Sequence, residues 1–122
     1  MPEDAPYNTD LMLRIREQIT SEPGTHDQVS WAHRTECGTT YCIAGWAVVL
    51  SGQELDWDGA DLATPFTADD RYIPQVAREL LGLDPWSADR LFFCDSGTAL
   101  HRLDQLIEAG KNGTRVPAYE LL

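Results

Sequence analysis

The sequence predicts a mainly α protein: one compact domain of four main helices plus one short helix, with residues 53–72 as the only place for a minor β-hairpin. Apolar residues recur at three- and four-residue spacing through most of the chain. Prolines, glycines and short polar side chains stand where such helices would start and stop. At 122 residues and 43% apolar, the chain is large enough to bury one core without disulfide or metal staples. Residues 1–122 therefore read as a single helical domain, with 1–8 and 114–122 as flexible or peripheral tails.

Leu11, Ile15 and Ile19 place a first helix behind an N-cap at Thr9 or Asp10, and Pro23-Gly24 closes it. The piece DQVSW, ending at Trp31, fits one helical turn. A second helix runs from Cys42 to Leu50, with Gly52 where a left-handed C-terminal cap belongs. Its Ala44, Gly45 and Ala47 are small enough for another helix to approach closely. Between Glu54 and Asp70 lie six carboxylates with no basic residue among them, and Pro65 interrupts, so this stretch reads as an ordered loop with at most a short hairpin. Pro74 opens a third helix with Val76, Ala77, Leu80 and Leu81 as its stripe, and Gly82 ends it. Asp84-Pro85 is a cap and first-turn proline for Trp86 to Phe93. Ser96 or Thr98 caps a last helix bearing Ala99, Leu103, Leu106 and Ile107, which Gly110 and Asn112-Gly113 bring to a stop.

Composition excludes several classes of function. The longest apolar run, Cys42 to Leu50, is far short of the ~20 residues a membrane span needs. The opening MPEDAPYNTD is acidic, unlike the cationic start of a secretory signal, so a cytoplasmic protein is expected. Nine basic and 20 acidic residues leave a net charge of −11, which repels phosphate backbones and anionic lipid and favours a basic protein surface as partner. No nucleic acid, membrane or cofactor is expected.

The stretch TECGTTYCIAGWAVVLSG, residues 35–52, is where chemistry would sit. A cysteine in the first turn of a helix faces unsatisfied N–H groups that favour its thiolate, and Cys42 has that placement. A nucleophile also needs a base, and His26, His33 and His101 are the only histidines. His33, Cys37, Cys42 and Cys94 together make an alternative tetrahedral zinc set, although zinc sites usually pair two C-x₂₋₄-C knuckles and a single looser one stands here. The simpler reading has Gly38 permit a turn, Thr39 or Thr40 cap the helix, and Cys42 pack inward as a small hydrophobe. Three cysteines, an odd number, also argue against a disulfide framework.

Two further motifs are weak. VARELLGLDPWSADRLF, residues 76–92, has the outline of a helix-turn-helix. Its glycine follows Ala77 by five positions instead of about four, and Asp84 and Asp89 are poor residues to lay against phosphate. DWDGAD begins like a calcium loop, but the twelfth position counted from Asp56 is Thr67 and the glycine comes at the fourth. The acidic loop is better placed to dock on an Arg/Lys-rich partner, with Asp56, Asp58 and Asp61 as its charges and Trp57 as either an aromatic anchor or a core residue.

Residues His26 to Gly52, with DQVSW, CGTTYCIAGWA and the terminating glycine, resemble a set of small uncharacterised proteins of actinobacteria and their phages. LLGLDPWSADRLF extends that resemblance to about two thirds of the chain. His26 stands where those proteins usually carry an aromatic residue, and Tyr41 where histidine is frequent, which takes a ligand or base away from the cysteine pair. The resemblance implies a shared fold and a phage or actinobacterial origin, and no reaction.

The sequence thus leads to a small acidic protein without catalysis or metal of its own, acting by protein–protein interaction on a basic surface of, for a phage product, a host protein. A cysteine-dependent enzyme or zinc module using Cys37 and Cys42 is the alternative.

Overall fold

The computed structural model describes residues 7–36 and 38–121. Among these, the chain forms five α-helices and one four-stranded antiparallel sheet, so the fold is α+β and the mainly α expectation fails. The helices are α1 (Thr9–Ser21), α2 (Ile43–Leu50), α3 (Ile73–Leu81), α4 (Pro85–Phe92) and α5 (Ser96–Lys111). The strands are β1 (Ala32–Thr35), β2 (Gly38–Tyr41), β3 (Leu55–Asp58) and β4 (Leu62–Thr67), in the spatial order β2-β1-β4-β3. Single 3₁₀ turns at Pro23–Thr25 and Ala118–Glu120 complete the elements.

The helices follow the apolar periodicity, and their caps often sit a residue or more from the expected ones. The Asn8 side chain, ahead of Thr9, accepts the Leu11 N–H and starts α1. Asp84 accepts the Ser87 N–H, with Pro85 in the first turn of α4. Asp95, ahead of Ser96 and Thr98, accepts the Thr98 N–H at 2.8 Å and opens α5. Gly82 adopts φ 73° after α3, a left-handed conformation that costs a glycine nothing. Helix α2 is buried from Ile43 to Val48, as a helix apolar all round must be.

The strands were illegible for identifiable reasons. Each is short, four to six residues, and only LDWD of β3 alternates apolar and polar side chains, over too few residues to declare a strand. Pro65 argues against a strand in the middle of a sheet, yet β4 contains it. The ladder explains how. β1 meets β4 only at His33↔Leu62, and the β3–β4 register shifts between Leu55 and Trp57, so no regular ladder surrounds the proline. DQVSW is a turn instead of a helical segment.

One core joins the layers. Met12, Ile15, Ile43, Val48, Ile73, Leu81, Leu91, Leu103 and Leu106 are all fully buried, and Ala32, Leu55 and Thr67 bring the inner face of the sheet to it. The C-terminal segment lies against this body. Leu121 is buried, its carbonyl accepts from Arg90 Nε at 3.2 Å, and the Val116 N–H donates to the Tyr7 hydroxyl at 2.9 Å. Burying Leu121 contributes roughly 1.5–3 kcal/mol.

Candidate functional site

The cysteine stretch is the centre of the scaffold. Cys42, in place of Thr39 or Thr40, is the N-cap of α2: the Gly45 N–H donates to its sulfur at 3.3 Å. Both its N–H and its S–H point at the Trp31 carbonyl, at 3.4 and 3.7 Å. Burial pushes the Cys42 thiol up to about 11, against the opposing pull of the Gly45 and Ala44 amides, so the helix-start effect does not yield a thiolate. Thr39 and Thr40 lie in β2 instead.

Gly45 explains the Ala-Gly-Trp sequence. A Cβ there would stand 2.2 Å from the Trp31 carbonyl oxygen, so a backbone segment, and not another helix, makes the close approach. Gln28, which sequence reasoning passed over, locks that segment in place. Its Oε1 accepts the Ile43 N–H at 2.7 Å at the start of α2, and its Nε2 donates to the Phe92 carbonyl at 3.0 Å at the end of α4. One amide thereby satisfies an orphan donor and an orphan acceptor of two different helices. Trp46 Nε1 donates to the Thr25 carbonyl at 3.3 Å, and its ring lies 4.3 Å from that of Tyr41. Cys42, Gly45 and Trp46 of this stretch, with Trp31 ahead of it, are packing and capping residues.

The residues of the zinc alternative are dispersed as far as they are described. His33 is on β1, Cys42 is at the start of α2, and Cys94 follows α4, where burial pushes its thiol up despite the nearby Arg102. Cys37 lies outside the described residues. Among the described residues no group of three His, Cys, Asp or Glu side chains is placed to hold a metal ion. Nor does a hydrogen bond join a described cysteine to a histidine: His26 meets Gln28, and Cys94 donates to the Leu91 carbonyl. The 76–92 segment is a two-helix corner, α3 to α4, with Trp86 and Asp89 on its exposed side.

The candidate docking residues divide between two faces of the hairpin. Asp56 and Asp58 are exposed on β3, and Asp61 is exposed just before β4. Trp57 points the other way, as strand alternation requires, packs against the core and carries the Arg34 guanidinium 3.7 Å above its ring. Arg34 Nη1 also donates to the Ala60 carbonyl, tying the turn to β1. Trp57 is therefore a support beneath the hairpin, not an anchor among the carboxylates. Asp56 accepts from the Thr64 hydroxyl at 3.0 Å across the register shift.

The outward face of the sheet holds residues that the sequence did not single out. Leu62, 47% exposed, sits opposite Asp58 and beside His33. Phe66, 39% exposed, bridges to Tyr72, and their rings are 5.9 Å apart. Antiparallel sheets often leave one face to water, but that face is ordinarily polar. A separate groove of about 520 Å³ runs between α4 and the C-terminal turn, lined by Trp86, Asp89, Arg90 and Tyr119.

Among the described residues no helix is long and apolar enough to cross a membrane. No protein-family model matches the chain, and neither a curated protein nor a solved structure does.

Proposed function

We propose that this is a small non-catalytic binding protein of the cytoplasm, which acts by docking a basic surface of another protein on its β3–β4 hairpin. The observation that carries this reading is the state of Asp56, Asp58 and Asp61: all three are exposed, and among the described residues none is in an ion pair. Exposed single ion pairs contribute only about 0.2–1 kcal/mol each, so the carboxylates steer and select a partner more than they bind it. The net charge of −11 works in the same direction at longer range and turns nucleic acid and anionic lipid away. The buried, protonated Cys42 supports a scaffold role for the sulfur motif. The resemblance of residues 26–52 to phage and actinobacterial proteins makes a host protein the expected partner.

Affinity capture from an actinobacterial lysate tests the reading. The wild-type protein is expected to retain a specific basic protein, to release it as salt rises, and to lose it in the triple variant Asp56→Asn, Asp58→Asn, Asp61→Asn with an unchanged circular dichroism spectrum. Undiminished capture by the triple variant would exclude the hairpin as the docking face.

A further inference from the structure

We infer that the outward face of the sheet receives a basic amphipathic helix of the partner, its apolar side on Leu62, Phe66 and Tyr72 and its cations against Asp56 and Asp58. This rests on the reading above and adds the kind of segment that binds. Leu62 and Phe66 project from the same side of β4, Tyr72 continues their line through its bridge to Phe66, and all three are between 39% and 47% exposed. An apolar stripe on a sheet face, rimmed by polar groups, marks an interaction surface better than isolated exposed side chains do. Leu62 to Phe66 spans about 13 Å, a length that the i, i+3/i+4, i+7 side chains of a helix cover in roughly two turns.

Charge selects the helix. The four strands hold one Arg or Lys between them, Arg34, and it is turned to the opposite face over Trp57. Asp56 and Asp58 flank the stripe along β3, while His33 and Thr40, paired across β1 and β2, form its other side, without a carboxylate. A surface that is apolar in the middle and negative along one margin is complementary to a helix with an apolar stripe and a Lys/Arg-rich border.

The test uses the full chain with two linear, unstapled peptides of about 14 residues built from Leu, Lys and Ala, identical in composition and charge. In one the leucines share a single helical face; in the other they are scattered around it. The segregated peptide is expected to bind about ten-fold more tightly than the scattered one and to shift the backbone amides of β3 and β4 in NMR spectra. The double variant Leu62→Thr, Phe66→Thr is expected to erase that difference, and Asp56→Asn, Asp58→Asn to weaken both peptides. Equal binding of the two peptides to the wild-type protein overturns the helix inference without needing any variant, and leaves the charge-docking reading intact. Binding of both peptides unaffected by the aspartate changes overturns that reading as well. Binding in which the peptide becomes extended and protects the outer amides of β3 would mean strand addition, and also overturns the helix.

Discussion

Gly45 is where the segment ahead of β1 closes on α2. Its missing side chain lets the Trp31 carbonyl lie against α2, and that carbonyl in turn takes both donors of Cys42. Gly45→Ala replaces a gap with a contact no backbone tolerates, and is expected to cost about 1–3 kcal/mol or more in urea unfolding, although alanine has the higher helix propensity. An unchanged midpoint would show that Trp31 moves away freely. Gln28→Ala leaves the Ile43 N–H and the Phe92 carbonyl without their partner, at about 1–3 kcal/mol. Gln28→Glu keeps the acceptor but loses the donor, so it is expected to destabilise too; a neutral result for both changes would remove Gln28 from the framework. In the sequence Cys42 reads either as a first-turn nucleophile or as a small core hydrophobe, because a cysteine at a helix start suits both. What separates the readings is burial and the direction of each donor, neither of which has a sequence signature.

At the scale of elements, helices were legible and strands were not. Helix periodicity survives in Leu11-Ile15-Ile19 and in Leu103-Leu106-Ile107, where a wide stripe repeats over three or four turns. Strands of four residues such as AHRT and GTTY are too short for a period of two to declare itself, and β4 hides a proline behind a register shift. The β-branched and aromatic residues of GTTY and LATPFT were the available signal. Of the proposed docking residues, the carboxylates were readable as charge, but the opposite orientation of Trp57 appears only once β3 exists. The caps are also open to test. Thr98 amide and hydroxyl hydrogen bonds hold the Asp95 carboxyl below its ordinary range. At Asp84 partial burial raises the carboxyl, but the Ser87 hydrogen bonds outweigh it and the net displacement is downward. Groups lowered in the native state stabilise it fully above the unfolded value of about 3.9, and that stability disappears as pH falls through the native value. Asp84→Asn and Asp95→Asn preserve a capping oxygen without the titration. Each variant is expected to lose less stability than the wild type between about pH 5 and pH 2, and a parallel acid limb would contradict the assignment.

At the scale of the molecule, one core holds the inner sheet face and all five helices together, while the carboxylates and the Leu62–Phe66–Tyr72 stripe are left on the outside. Cys42 belongs to the interior, and the docking proposed above belongs to the sheet surface. Cys42 reports on this separation directly, being 2% exposed and protonated at neutral pH, so a reagent reaches it only when the whole core opens. The measurement is alkylation by iodoacetamide at pH 7.5, with Cys42 followed by peptide mass. Labelling is expected to proceed only as fast as global unfolding exposes the thiol, and to accelerate with denaturant. Rapid labelling of Cys42 in the native protein would contradict this account.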